Sequence, residues 1–188
     1  MTTTLELTRT SNMAIYSFFI YDRHCNCIYN REYIHSPTST SSSSSSVTTS
    51  QDKADGHINK NNDADNSKLL FGILYSLKTI ATKLVLDDSS LNELKQMTIG
   101  QFRIHFWESL TRFKFVIISD LQVQSLQHEL WQLYSQFFIK YVVENALLPV
   151  EFKWKDDDTL RENEIYGKIH NDRFIQETDK YIKSLPIF

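Results

Sequence analysis

The feature that most constrains the fold of this chain is a predicted β-hairpin over Ala14–Tyr33. Aromatic and β-branched residues dominate both arms, and the polar stretch Asp22–Asn26 separates them, which is typical of two antiparallel strands joined by a turn. In the first arm, Ala14–Tyr21, both alternating sets of side chains are apolar, so this strand needs cover on both faces. The second arm, Cys27–Tyr33, contains three consecutive polar residues and is expected at or near a sheet edge.

Three further strands are predicted in the middle of the chain, over Leu94–Ile99, Gln101–Glu108 and Phe113–Ser119. The last of these is apolar on both faces beyond Lys114, as in the first arm of the hairpin, whereas the other two are mixed or half polar. Placing the two doubly apolar strands side by side at the centre gives the strand order 2-1-5-4-3. The sequence therefore predicts an α+β fold built on a five-stranded antiparallel sheet, with one helix on one face and two on the other.

Three helices are predicted from apolar residues at helical spacing. The first spans Lys68–Leu86 with Asn66 or Ser67 as N-cap, the second runs from an N-cap at Asp120 to about Asn145, and the third spans Asp172–Lys183 after Asn171. The inner stripe of the first helix is predicted to be Leu70, Ile73, Leu74, Leu77, Ile80, Ala81 and Leu84. That of the second is predicted to be Leu126, Leu130, Leu133, Phe137 and Tyr141.

One domain over residues 13–188 is expected, because a chain of 188 residues can bury one substantial core but is short for two. Residues 1–12 are polar and Thr-rich and are predicted to be a disordered extension, so that translation could also begin at Met13. The segment 36–66 is predicted to be a disordered insertion. Its first fifteen residues hold nine Ser and four Thr, which cannot bury enough apolar area to offset the entropy of ordering.

The composition argues against several classes of function. The net charge is −3 and Lys and Arg are scattered, so nothing favours nucleic acid or an anionic membrane surface as a partner. No apolar run approaches the ~20 residues that cross a bilayer, and no signal-peptide pattern stands at the N-terminus. With only two cysteines, the chain is expected to be a soluble intracellular protein of a reducing compartment.

No enzyme active site, cofactor or metal site is predicted. Cys25 and Cys27 share a strand face, but no second Cys pair is present and His24 points the other way, so half-buried structural thiols are favoured over a metal site. The run Asp156–Asp158 lacks the spaced ligands of a cation loop. His105 and His128 are expected on the surfaces of a strand and a helix. Glycine-rich phosphate loops, nucleophile elbows and zinc-binding helix motifs do not occur.

Both long helices carry apolar or aromatic residues beyond the stripe that their own core requires, which favours a partner interface. The alternative, a thick core that the last helix also reaches, stays open. The candidate interface residues on the helices are Phe71, Tyr75, Leu86, Trp131, Phe138 and Val142.

Several stretches resemble a known family. IYSFFIYDRHCNCIYNREY in the hairpin resembles the N-terminus of the small longin-like (SNARE-like) core subunits of the transport protein particle, TRAPP, of the fungal Bet type that corresponds to mammalian subunit one. KLLFGILYSLKTI, TIGQFRIHFWES and FVIISD are further matches, and LYSQFFIKYVVENALLPVEF is a looser one. The N-terminal extension and the Ser-rich insertion depart from the family pattern.

The resemblance implies a longin fold and a non-catalytic subunit of a tethering complex in ER-to-Golgi and Golgi vesicle transport. It implies other longin-like and Bet-type TRAPP subunits as partners and a Ypt/Rab-type GTPase whose nucleotide exchange the assembled complex promotes. The expected location is cytoplasmic, peripheral on endoplasmic reticulum and cis-Golgi membranes through the complex. The resemblance assigns no exchange residue to this chain. The hairpin tip, Asp22 and Arg23, is a further candidate contact with a partner. The alternative is another longin-type trafficking adaptor, a coat small chain or a SNARE-like regulatory domain.

Overall fold

A computed structural model describes residues 14–33, 64–84, 92–148, 152 and 167–188. The predicted extension at 1–12 and the predicted insertion up to residue 63 lie outside these residues. The elements are β1 (Ile15–Tyr21), β2 (Cys27–Glu32), α1 (Ala64–Lys83), β3 (Gln96–Ile99), β4 (Phe102–Glu108), β5 (Lys114–Asp120), α2 (Gln127–Gln132), a π-helix (Leu133–Val143) that continues α2, and α3 (Asp172–Ser184).

The five strands form one antiparallel sheet in the order β2-β1-β5-β4-β3, as predicted. Strands β1 and β5 lie side by side at the centre, with Phe18 opposite Ile117. The outer edge of β2 is partly covered, because the backbone N–H of Ile169 donates to the Ile28 carbonyl at 2.8 Å. Among the described residues, β3 pairs only with β4, so its outer edge is open.

The sheet carries helices on both faces, in the predicted arrangement of one against two. The larger core lies beneath α2, the π-helix and α3, and includes Phe18, Phe115 and Phe174, all fully buried. The smaller core lies beneath α1, where Leu74 packs on alternate residues of β1, β4 and β5 such as Val116. Strands β1 and β5 are covered on both faces because their two alternating sets of side chains enter the two different cores.

The second long helix is not a regular α-helix. From Leu133 onward it is a π-helix, and the Glu144 N–H at its end donates to the carbonyl of Ile139, five residues back, at 2.9 Å. More residues per turn than 3.6 shift the buried face, so that Leu133, Phe138 and Val142 point into the core. The predicted inner stripe, which followed 3.6 residues per turn through Phe137 and Tyr141, is displaced in this part: both are half buried and pack at the margin of the larger core.

Of the three predicted helix starts, one is confirmed and two differ. Asn171 caps α3 as predicted, since its side chain accepts from the N–H groups of Arg173 and Phe174. Asp120 does not cap the second helix, because β5 continues through it and the helix begins at Gln127. The first helix begins at Ala64, before the predicted start at Lys68, so Ser67 is an interior helical residue.

Candidate partner-binding surfaces

The first helix turns a narrow face to the sheet. The Tyr21 hydroxyl donates to the Ser67 carbonyl at 3.0 Å, and the Lys78 ammonium pairs with the Glu108 carboxylate. These two contacts, one at each end of the packed face, place Ser67, Leu74 and Lys78 along one line of the helix toward the strands. Leu74 is therefore the fully buried leucine of α1.

The predicted inner stripe of this helix is consequently wrong for three of its members. Ile73, Ile80 and Leu84 are 43 %, 52 % and 73 % exposed. Together with Leu69, they form an apolar flank that no described part of the chain covers. The sequence pattern could not separate this flank from the buried line, because apolar residues cover more than half of the circumference of α1.

The opposite flank of α1 carries two predicted interface residues and faces the hairpin tip. The Phe71 ring lies 5.4 Å from the Tyr21 ring and 6.0 Å from the Tyr75 ring, centroid to centroid. Tyr75 is 59 % exposed, whereas Phe71 is half buried. The Lys114 Nζ lies 5.6 Å from the centre of the Phe71 ring and donates to the Asp22 carbonyl at 3.4 Å. The structure thus brings Phe71, Tyr75 and the hairpin tip to one end of the sheet.

Within the hairpin tip, the two predicted contact residues differ. Arg23 is exposed. Asp22 is buried, and its carboxylate accepts from the backbone N–H of Asn26 at 2.8 Å, which closes the turn. The Asp22 side chain holds the turn together, so of these two candidate contact residues Arg23 is the one whose side chain is exposed at the surface.

The predicted interface residues on the second long helix also differ in their exposure to solvent. Trp131 is 49 % exposed on α2, with its ring stacked on that of His128 at 6.3 Å. Phe138 and Val142 are buried in the larger core, so their prediction as outward-facing residues is wrong, and the π-helix is the reason. Leu86 lies outside the described residues.

A second apolar surface on the sheet was missed. Phe102 and Ile99, which pair across β4 and β3, are 48 % and 42 % exposed on the face that α1 covers elsewhere. The Tyr16 ring meets the Phe102 ring edge to face at 5.3 Å. Phe102 continues the apolar alternation of Ile104 and Phe106, so the sequence did place it on this face, but nothing in the sequence indicated how far α1 would extend over the strands.

Two buried polar groups belong to the core and not to these surfaces. The Asp179 carboxylate on α3 accepts from Arg31 and from the Tyr33 hydroxyl, and burial raises the pKa of Asp179 although the Arg31 guanidinium acts in the opposite direction. His105 was expected on the strand surface, yet it is fully buried, with Nε2 2.9 Å from the Ser119 hydroxyl. Burial, with a smaller effect from Arg103, lowers the pKa of His105 to about 4.

The described residues offer no metal site: no group of three or more His, Cys, Asp or Glu side chains could hold an ion there. Among the described residues neither Cys25 nor Cys27 forms a disulfide, both are half buried, and the Cys27 thiol donates to the Tyr29 carbonyl at 3.4 Å. Within the same part of the chain, none of the helices combines the length and hydropathy of a membrane span.

Comparison with known proteins agrees with this architecture. A sequence model of the Sybindin-like family matches residues 15–157. The trafficking protein particle complex subunit BET5 of Saccharomyces cerevisiae is 34 % identical over 174 residues, which cover 90 % of this chain and 96 % of that protein. Trafficking protein particle complex subunit 1 of Dictyostelium discoideum is 28 % identical over 178 residues, covering 93 % and 98 %. The transport protein particle subunit bet5 of Schizosaccharomyces pombe is 28 % identical over 136 residues, covering 72 % and 79 %. The family match spans both central strands, the hairpin and α1, and the chain belongs to the Sybindin-like family, with its longin/SNARE-like fold.

Proposed function

We propose that this chain is a non-catalytic structural subunit of the TRAPP tethering particle in ER-to-Golgi and Golgi vesicle transport. Relatives that match almost the whole chain are named as subunits of that particle, and the chain shares their family. The observation in the structure that carries the proposal is the amount of apolar surface left exposed around α1.

Six large apolar residues of this surface are between 42 % and 73 % exposed: Leu69, Ile73, Ile80, Leu84, Ile99 and Phe102. With about 200 Å² for each fully exposed residue of this size, they present on the order of 600 Å² of apolar area. The largest apolar patch of a typical monomer measures about 300–600 Å² and is often functional, and each partner of a standard interface buries about 800 Å². The exposed apolar surface around α1 is at the upper end of the range for monomers, and it supports a role inside an assembly.

The proposal also includes the activity of the assembly. The complete particle promotes nucleotide exchange on a Ypt/Rab-type GTPase, and this chain contributes surface and not a catalytic group. Exchange by such a surface is a differential-binding effect, in which the assembly holds the GTPase in a form with weakened nucleotide contacts. The chain is peripheral on endoplasmic reticulum and cis-Golgi membranes through the particle.

The test is co-purification of the particle from cells whose only copy of this chain carries Ile73→Asp and Ile80→Asp. We expect other TRAPP subunits to be lost from the purified material, because two carboxylates would be buried in the interface. Thr79→Asp with Lys83→Asp is the matched control, since these two positions lie roughly 140–180° around the axis of the same helix from the buried Leu74, on the side that faces away from the sheet. Full assembly by a folded Ile73→Asp, Ile80→Asp chain would remove the α1 flank from the proposal.

Phe71→Asp with Tyr75→Asp tests the surface at the hairpin tip in the same way.

Nucleotide release from a Ypt/Rab-type GTPase, measured with a fluorescent guanine nucleotide, separates the structural role of this chain from the exchange activity of the particle. We expect release to be accelerated by the assembled particle and not by the isolated chain. Acceleration by the isolated chain would contradict the non-catalytic role.

A further inference from the structure

The two faces of the sheet are covered unequally. On one face, α2 with the π-helix and α3 together cover the strands, and side chains such as Phe115 and Ile117 there are fully buried. On the other face, α1 is the only helix among the described elements. An α-helix with its side chains is about 10 Å wide, whereas a strand of seven residues is about 23 Å long, so one helix crossing the strands leaves part of that face open.

The open part lies on a definite side of α1. Phe71 and Lys78 contact Tyr21 and Glu108, which stand at the hairpin-tip end of the sheet. Successive residues of a helix are about 100° apart, so Ile73 and Ile80 lie roughly 140–180° around the axis from these two. The apolar flank of α1 therefore faces away from the hairpin tip, toward the other end of the strands.

That other end of the sheet is where the exposed apolar side chains lie. Ile99 and Phe102 form the last pair of β3 and β4, and Phe102 stands opposite Asp120 at the end of β5. Tyr16, near the start of β1, contacts Phe102, and half-buried Ile118 lies between these positions on β5. The flank of α1 is thus the wall of an apolar trough, and these four side chains form its floor.

The dimensions of the trough match a helix. Its wall from Leu69 to Leu84 is about 22 Å long at 1.5 Å per residue. Its floor crosses four adjacent strands, about 14 Å at 4.8 Å per step. We propose that an amphipathic α-helix of three to four turns, supplied by a neighbouring subunit, lies in this trough beside α1 and completes the missing second helix of this face. The proposal rests on the proposed function, because the helix comes from a partner in the assembly.

Two segments of this chain outside the described residues, 1–13 and 34–63, lack the apolar spacing of a suitable helix. In residues 34–63 the large apolar residues are Ile34, Val47 and Ile58, too far apart to form a continuous helical stripe. In residues 1–13, Leu5 and Leu7 are two positions apart, which would put them on different sides of a helix. Neither segment can present an apolar face to both wall and floor. A partner helix would insert residues at i, i+3, i+4 and i+7, the spacing by which helices bind such grooves.

Photo-cross-linking in the assembled particle tests the proposal. The photoreactive residue p-benzoylphenylalanine replaces Phe102 in the floor or Ile73 in the wall, and the particle is purified, irradiated and analysed by mass spectrometry of cross-linked peptides. We expect both positions to capture the same peptide of another subunit, with apolar residues at helical spacing. Leu147, which is 93 % exposed beyond the π-helix, is the control position and should not capture that peptide.

Capture of any other segment of this chain, of a second copy of it, or of a peptide without helical apolar spacing would overturn the proposal. So would the absence of any cross-link in a particle that assembles normally, an outcome that leaves the proposed function intact. If no particle assembles around the wild-type chain, the proposed function fails and the inference fails with it.

Charge substitutions give a second measurement. Phe102→Glu with Ile99→Glu should lower recovery of the captured subunit by about tenfold or more, as expected when central anchors of an interface are lost. Leu147→Glu should leave recovery unchanged. Circular dichroism of the isolated chains shows whether each variant is folded. Normal recovery with a folded Phe102→Glu, Ile99→Glu chain would contradict the proposal.

Discussion

Arg31 on the edge strand β2 binds Asp179 on the C-terminal helix α3 through a two-point contact, in which Nη2 donates to Oδ2 at 2.6 Å and Nε donates to Oδ1 at 3.1 Å. The two side chains are only 3 % and 14 % exposed, and the Tyr33 hydroxyl donates to the same carboxylate. The contact ties residues that are 148 positions apart in the sequence. It is a polar link between α3 and the sheet edge, beside the aromatic pair of Tyr29 and Phe174.

Arg31→Met is expected to destabilise the isolated chain by about 3–5 kcal/mol, because it leaves the Asp179 carboxylate buried without its cation. Arg31→Met combined with Asp179→Leu is expected to recover most of that loss, since an apolar pair of similar volume needs no desolvated charge. Urea denaturation followed by tryptophan fluorescence measures both. A double variant as unstable as Arg31→Met alone would show that the ion pair itself contributes the stability.

His105 makes the stability of the chain depend on pH. The folded-state pKa is lowered to about 4 from the ordinary value of 6.5. Between these two values the unfolded chain binds a proton that the folded chain does not, so the free energy of unfolding falls as pH is lowered from 6.5 toward 4. The loss attributable to this residue reaches roughly 3 kcal/mol at the lower end of the window.

The measurement is a set of urea titrations between pH 7 and pH 4, compared with His105→Gln, whose side chain can still bond the Ser119 hydroxyl but does not titrate. We expect the two stability curves to diverge from their pH 7 offset as the pH falls below 6.5. Parallel curves throughout this range would contradict the assignment of a lowered pKa to His105.

An apolar sequence pattern predicts the position of a strand or helix only when a single placement in the fold buries its apolar residues. Strands β1 and β5 have apolar residues in both alternating sets, and the centre of the sheet is the position that covers both faces. The strand order follows from that. By contrast, α1 is apolar around much of its circumference, so the pattern allows several rotations about its axis. Contacts with distant residues, Tyr21 with Ser67 and Lys78 with Glu108, select one rotation, and local periodicity contains no information about them.

Tyr21→Phe tests this selection of the α1 face. Loss of the hydroxyl leaves the Ser67 carbonyl without the donor at 3.0 Å, and the expected cost is about 1 kcal/mol. Tyr75→Phe is the matched control. The Tyr75 ring is largely exposed, so the loss of its hydroxyl should change the melting temperature very little. Thermal unfolding by circular dichroism compares the two. Equal melting temperatures for the two variants would show that the Tyr21 contact does not hold α1 in place.

The candidate interface illustrates the same limit on the second long helix. A period of 3.6 residues assigns Phe138 and Trp131 to the same outward set, whereas the π-helix that begins at Leu133 rotates Phe138 into the core and leaves Trp131 outside. The hydrogen-bonding register of a helix is decided by the packing of the whole element, and the sequence alone does not reveal a change from i→i+4 to i→i+5 bonds. Two residues of similar chemistry therefore have opposite roles.

Alanine substitution separates those roles. Phe138→Ala is expected to destabilise the isolated chain by about 3–5 kcal/mol, because the ring is 1 % exposed and contacts the rings of Phe113, Phe115 and Phe174. Trp131→Ala is expected to change stability by less than about 1 kcal/mol, since half of its surface is already in water. Urea denaturation of both variants under the same conditions makes the comparison. A loss below about 1 kcal/mol for Phe138→Ala would contradict the π-helical register that buries Phe138, and a loss as large as about 3–5 kcal/mol for Trp131→Ala would contradict the exposure of Trp131.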